Sequence, residues 1–237
     1  SFSHALSLTT TGVNTSRLNR LEHFVSDFPA EGIHMSGEAL HSQLDEIERI
    51  HGLYSPASLG LASALACGAF TFLLGGGPLE MILAFAGAGI GNAIRCKLGK
   101  HHFTLFMCIA VSVSSACLVY AGFLKLAELL FHISVQHEAG YICSMLFIIP
   151  GFPFITSGID LAKLDMRSGL ERLTYAIIII VVATMTAWIM ALILHLKPSD
   201  FPPLSLTLWQ HILFRLLASF CGVFGFSVMF NSPKELS

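Results

Sequence analysis

The chain has 237 residues, 54% of them hydrophobic and 12% charged, about half the charged share of an ordinary soluble domain. A mean hydropathy of +0.72 argues against a soluble cytosolic enzyme. The 13 Lys+Arg and 15 Asp+Glu leave a formal net charge of -2, so there is no basic excess to neutralise a phosphate backbone, and nucleic acid is not an expected partner.

Charge is unevenly spread, with 10 of the 28 charged side chains in residues 1–55 and 18 in the other 182 residues. The division implies a short soluble segment, 1–55, followed by a membrane domain. Phe2, Leu6 and Leu8 alternate in a Ser/Thr-rich stretch and predict a strand. Thr15 and Ser16 offer helix caps, after which Leu18, Leu21, Val25 and Phe28 recur at three- and four-residue spacing until Pro29, which is expected to stop the helix. A second stripe follows in Leu40, Leu44, Ile47 and Ile50. Both polar faces are mixed rather than basic, so docking against the membrane domain is expected in preference to insertion into anionic lipid. His23, His34, His41 and His51 lack the close spacing of metal ligands and read as solvated. The chain opens at Ser1 with no initiator Met, and its first apolar run starts near residue 57, which suggests a trimmed or processed start.

A hydrocarbon core of about 30 Å needs roughly 20 helical residues. Six runs of that kind are expected, at 57–75, 79–96, 102–124, 141–161, 172–196 and 204–230. Gly75, Gly76, Gly77 and Pro78 separate the first two; Lys197, Pro198, Pro202 and Pro203 precede the last. Arg95, Lys97 and Lys100 follow the second run, and Lys163, Arg167 and Arg172 lie between the fourth and fifth, whereas the alternate loops carry none, Lys125 and Lys197. That asymmetry predicts a cytoplasmic N-terminal segment on a multi-pass protein of the cell membrane. Lys125 and Glu128 are expected to pair at i, i+3 near the outer end of the third run.

Gly60, Ala64 and Gly68 recur every fourth residue, and Gly87 with Gly91 forms a GxxxG pair; such small residues let helix backbones approach in lipid. Cys67, Cys108, Cys117, Cys143 and Cys221 lie inside apolar runs without any CxxC and read as packing residues. No metal or cofactor is implied. Cys67-Gly68-x-Phe70-x-Phe72, with Pro78 and Glu80 after it, returns as Cys221-Gly222-x-Phe224-x-Phe226, with Pro233 and Glu235 after it. The copies stand five spans apart, and an odd number of spans inverts the second copy, the plan of many secondary transporters whose substrate binds between repeats at broken helices.

The fourth run contains Pro150-Gly151-Phe152-Pro153 and then Thr156, Ser157 and Asp160. Two prolines and a glycine within one span predict a kink or break, tolerated where protein or a watery cavity satisfies the backbone. Pro153, Thr156 or Ser157, and Asp160 share one side at helical spacing. An acid there is a candidate proton or ion site, or else a boundary residue paired with Lys163 or Arg172. Arg172 is placed to meet a substrate carboxylate or to anchor the interface. Arg215 falls near the middle of the sixth run and needs an acid, a carbonyl or water.

These residues resemble the threonine/serine exporter family, whose first half also occurs as a small subunit of a two-component succinate exporter. Pro150-Gly151-Phe152-Pro153, Asp160, Gly169-Leu170 and Arg172 look like its signature around the fourth span; Asn14, Arg17 and Leu18 through to Tyr54, and Phe230-Asn231-x-Pro233, are similar too. Thr156 stands where the family often has Asn. The resemblance implies a ten-span efflux transporter of two five-span halves, driven by the proton gradient or membrane potential, with a cytoplasmic N-terminal region. The expected fold is therefore an all-α polytopic membrane protein. A short α/β soluble segment (1–55) precedes a five-span unit (56–203), and 204–237 forms the first helix of an inverted second unit.

The implied partners are the lipid bilayer, a small polar solute and a second five-span half, in the same longer chain or a separate subunit, within a homo- or hetero-oligomer. Threonine and serine are the first substrates, C4 dicarboxylates the alternative. Asp160 would take a proton or an amino group, Thr156 and Ser157 would offer hydrogen bonds, and Arg172 or Arg215 would receive a carboxylate. An intramembrane enzyme is the second class, but neither a nucleophile elbow nor HExxH occurs; a non-transporting scaffold is the third.

Overall fold

In a computed structural model, residues 14–32, 35–50, 52–101, 103–131, 137–197, 201 and 203–232 are described. They belong to two units, one made of 1–53 with 230–237 and the other of 54–229. The strand expected at Phe2, Leu6 and Leu8 lies outside the described residues, as do His34, His51, Pro198, Pro202, Pro233 and Glu235; the described residues are helical or irregular, with no strand among them.

The first unit holds α1 (Thr15–Glu31) and α2 (Gly37–Glu48). Asn14, rather than Thr15 or Ser16, caps α1, its side-chain oxygen accepting from the Arg17 N–H at 3.1 Å. Thr15 is drawn elsewhere: its N–H and hydroxyl both donate to the Phe230 carbonyl, at 3.2 and 3.1 Å. Pro29 does not stop α1, which runs two residues further. Pro29 cannot bond the Val25 carbonyl, which removes one rung, but the ladder resumes with the Gly32 N–H donating to the Phe28 carbonyl. Ser36 caps α2.

The second unit contains α3 (Pro56–Leu73), α4 (Pro78–Lys100), α5 (Leu105–Phe131), α6 (Tyr141–Ser144), a 3-10 turn at Leu146–Ile148, α7 (Gly151–Ala162), α8 (Met166–Leu194) and α9 (Leu208–Met229). Five of these helices, α3, α4, α5, α8 and α9, are long and apolar enough to cross a bilayer, and the bent pair 141–148 and 151–162 makes a sixth if counted as one span. At 1.5 Å per residue even the 18-residue α3 reaches about 27 Å. α5 runs seven residues past its expected end, and α8 starts six before its expected beginning. Lys125 and Glu128 do not form the expected pair; both project from the surface of α5, where such a pair gains only a few tenths of a kcal/mol.

Packing follows a lipid logic. α9 packs on α3, α3 on α4, α4 on α5, α5 on α8 and α8 on α7, while α6 wedges against α3, α4 and α5. Along α8 the inward residues are Gly169, Ala176, Ile179, Ala183, Ala187 and Ala191, whereas Ile177, Val181, Met185, Trp188 and Leu192 face out. Small side chains inside and large apolar ones outside suit a solvent as apolar as leucine, in which close backbone contact drives association. The six cysteines are free and four are buried.

The glycines mark the closest approaches. A Cβ on Gly60 would lie 2.9 Å from the Gly89 carbonyl oxygen, and one on Gly68 would lie 3.2 Å from that of Met81, so α3 and α4 run antiparallel in near backbone contact. On Gly87 a Cβ would stand 2.9 Å from the Ala116 carbonyl oxygen and from Ser144 Cβ; on Gly91 it would stand 2.9 Å from Phe147 and 3.0 Å from the Ser112 oxygen. The GxxxG pair thus seats α4 against α5 and against the first half of the broken span.

The two copies of the repeated hexapeptide meet. Gly222 would place a Cβ 2.9 Å from the Phe70 ring, Phe70 and Phe226 sit edge to face at 5.4 Å, and Phe72 meets Phe214 near the opposite end of the contact, so α3 and α9 are antiparallel. One antiparallel helix does not by itself make the expected inverted second unit.

Two glycine substitutions should move stability in opposite directions. Gly91→Val is expected to destabilise the detergent-solubilised protein by about 1–3 kcal/mol through overpacking. Gly122→Ala, where an added Cβ meets nothing within 4 Å, is expected to stabilise it by about 1 kcal/mol through helix propensity. Thermal unfolding of the two variants beside the wild type checks both signs.

Candidate functional site

The break in the fourth span comes from backbone chemistry. Ile148 and Ile149 donate to Met145 and Leu146 at 3.0 and 3.1 Å, a tightened ladder, and the helix restarts when Phe154 donates to the Pro150 carbonyl at 3.2 Å. Between them the axis bends by 52°. Pro153 lies in the first turn of α7, where no intrahelical N–H partner is required. Added Cβ atoms on Gly151 and Gly158 would meet nothing within 4 Å, so α7 keeps an open face.

On the other face α7 packs closely on α8. Ser157 is buried and its hydroxyl donates to the Gly169 carbonyl at 2.8 Å. Gly169 sits so near α7 that a Cβ would fall 2.7 Å from Leu161. Thr156 turns its hydroxyl back to the Phe152 and Pro153 carbonyls at 3.0 and 3.2 Å, the back-bond a helical threonine makes to the preceding turn.

Asp160 and Arg172 come together, with Nη1 3.0 Å from Oδ2. The distance is that of an ion pair, but the N–H is not directed at Oδ2, and this buried oxygen accepts no hydrogen bond. The Arg172 side chain is 52% exposed and that of Asp160 20%. The pair can therefore exchange partners: a half-exposed arginine faces a carboxylate with an uncommitted lone pair. Lys163 makes no ion pair among the described residues. Arg215 is not part of this arrangement; it projects from the exposed side of α9, which packs on α3.

The turn joining α7 to α8 is closed by the Asp165 N–H donating to the Asp160 carbonyl at 3.0 Å, with Leu164 in the left-handed region at φ 64°. Asp165 then caps α8, its Oδ1 accepting from the Ser168 N–H at 3.3 Å. The hydrogen bonds from Ser168 hold the Asp165 carboxyl below its ordinary value.

Three polar assemblies escape a reading by local pattern. Glu80, fully buried, accepts from the Gly77 N–H at 3.0 Å and meets His137 Nδ1 at 2.6 Å. Tyr120 donates to the His137 carbonyl at 2.6 Å, so a buried carboxylate ties the α3–α4 turn to the segment before α6. A glutamate three residues past Gly77 signals a capping box, but His137 stands 57 positions away. Asn92, 1% exposed, donates to the Leu59 carbonyl at 2.9 Å and accepts from Arg95 Nε at 3.0 Å. In the first unit, Asn231 donates to Asn14 Oδ1 at 2.6 Å and accepts from the Leu53 N–H at 2.6 Å, while Arg17 donates to the carbonyls of Glu48 and, at 3.2 Å, Ile50. A cavity of about 360 Å³ between α1 and α2 is lined by residues that include Arg20, His23, Asp27 and Glu46, none of them from the broken span. Among the described residues no three His, Cys, Asp or Glu side chains converge as metal ligands.

Glu80→Ala should destabilise the second unit by about 3–5 kcal/mol, because it strands the partners of a buried pair; denaturant titration in detergent measures the loss. The Asp165 cap has a pH signature. A carboxyl held below its unfolded value contributes fully above the unfolded pKa of about 4, and the contribution fades as pH falls through the folded value. The stability gap between wild type and Asp165→Asn is expected to be constant near neutrality and to close on acidification below about pH 4.

Comparison with known proteins supplies a family. A search of curated proteins and a search of solved structures return no match. A family model described as "Putative threonine/serine exporter" matches residues 1–195, a stretch that includes α1 to α8. That match covers the broken span and the Asp160–Arg172 pair, and by it the chain belongs to the threonine/serine exporter family.

Proposed function

We propose that the chain is part of a secondary active exporter that carries threonine and serine out of the cell, coupled to the proton gradient or the membrane potential. Family membership over 1–195 makes transport the function class. The observation that carries the substrate reading is the Asp160–Arg172 pair, in which a buried carboxylate oxygen is left without a hydrogen bond. A zwitterion brings an ammonium for that oxygen and displaces the half-exposed arginine, whereas a dianion would need the acid neutralised first. Ser157 is engaged with the Gly169 carbonyl, which suits it to holding α7 on α8. Thr156, on the same turn, keeps an acceptor lone pair for a solute hydroxyl.

The arrangement around the site is part of the same proposal. The Lys/Arg bias of the loops supports a cytoplasmic N-terminal segment in the cell membrane. Arg215, exposed midway along an apolar helix, costs about 2.5–3.5 kcal/mol against lipid. A second five-span unit, in the same longer chain or as a separate subunit, would supply its anion.

Efflux of labelled threonine, serine and succinate from cells expressing the full-length transporter tests the reading. Threonine and serine efflux is expected, with succinate unmoved, and Asp160→Asn should lower the rate by about tenfold or more, the value of one charge-assisted contact. Succinate efflux alone would replace the substrate with a dicarboxylate; an unchanged Asp160→Asn rate would remove Asp160 from the mechanism.

A further inference from the structure

Three arginines of the second unit are candidates to receive a solute carboxylate, and their surroundings separate them. Arg172 already faces Asp160. Arg215 lies on the exposed side of α9. Arg95 differs from both: it is partly buried, and no described carboxylate pairs with it.

Arg95 sits toward the end of α4, in a basic stretch whose other members, Lys97 and Lys100, are exposed. A residue serving only as an interfacial anchor would turn outward as they do. Arg95 turns inward. Its guanidinium lies over the Phe147 ring at 5.8 Å from the centroid, and Phe147 belongs to the 3-10 turn immediately before the break at Ile149 and Pro150. Its Nε donates to Asn92 Oδ1 at 3.0 Å, and Asn92 is fixed in turn by donating to the Leu59 carbonyl at 2.9 Å. Tyr175 on α8 and Cys108 on α5 lie within electrostatic range of it.

Within that frame no described carboxylate pairs with Arg95, and its terminal nitrogens have no hydrogen-bond partner among the described residues. A guanidinium committed through Nε alone presents its far edge as two parallel donors, the geometry that matches a carboxylate. An unpaired cation at this depth is costly unless water or an anion reaches it, and the partial exposure of Arg95 leaves such access. Tyr175 stands three residues beyond Arg172, about 4.5 Å along the axis of α8, which sets the Arg95 neighbourhood and the Asp160–Arg172 pair along one helix.

We propose that Arg95 binds the carboxylate of the transported solute through its two terminal nitrogens, with Asn92 as the positioning residue that aims them. The inference rests on the export reading for the identity of the solute, but the site itself requires only an α-carboxylate.

The test is binding to the purified full-length protein in lipid nanodiscs, measured by calorimetry with threonine and with threoninol, in which an alcohol replaces the carboxylate. For Arg95→Gln the threonine Kd is expected to rise by about tenfold or more, the loss of a charge-assisted fork, while threoninol binds as it does to wild type. Arg95→Lys should restore only part of the affinity, because the ammonium keeps the charge without the fork. A second measurement needs no variant to fold: phenylglyoxal modification of Arg95 in the wild type, followed by mass spectrometry, should be slowed by threonine and not by threoninol.

Equal threonine affinity in wild type and Arg95→Gln, or modification of Arg95 that no carboxylate slows, overturns the proposal and leaves the export reading standing. Binding of succinate but not threonine, lost in Arg95→Gln, keeps the Arg95 site and removes the threonine/serine reading instead.

Discussion

Close approach of helix backbones in lipid is the constraint on which the second unit depends. Apolar side chains gain nothing by leaving lipid for a protein interior of the same polarity, so association has to come from dense contact. Gly60, Gly68, Gly87 and Gly91 provide it by letting the backbones of α3 and α4 touch and by seating α4 on α5 and on the turn that carries Phe147. The alanines of α8 do the same against α5, while their large neighbours face outward.

Such tight packing makes every interior polar group consequential, because none can find bulk water. Several are answered within their own helix: Ser63 by the Gly60 carbonyl, Thr71 by the Cys67 carbonyl, Ser112 by that of Ile109. Others join distant elements. Glu80 fastens the α3–α4 turn to His137, Ser157 fastens α7 to α8 through Gly169, and Asn92 fastens α4 to Leu59 on α3. Against that background the incompletely answered groups stand out. Among the described residues Asp160 Oδ2 is a buried charged atom without a hydrogen bond, and the partly buried Arg95 is bonded through Nε.

The first unit is built on a different economy. Its helices expose Leu18 and Val25 and are joined by side-chain amides to backbone, with Asn14 and Asn231 at the centre. Asn14 and Thr15, within the family match, meet Asn231 and Phe230, beyond its end, directly.

Hydropathy runs, the glycine pattern and the proline pair placed the long helices, the break in the fourth span and the positions of close packing, because each depends on local chain chemistry that periodicity and backbone stereochemistry expose. The same reasoning misplaced details where a distant partner intervened, as when Thr15 left the cap of α1 to Asn14 and bonded Phe230 instead. It left Asp160 between a free ion site and a partner of Lys163 or Arg172, and only the fold selected Arg172. Arg95 reads in sequence as one more basic loop residue. Its inward turn over Phe147, and the pairing of Glu80 with a histidine 57 residues away, were decided by the tertiary structure alone, since the direction and partner of a long polar side chain depend on which helices surround it and not on the residues beside it in the chain.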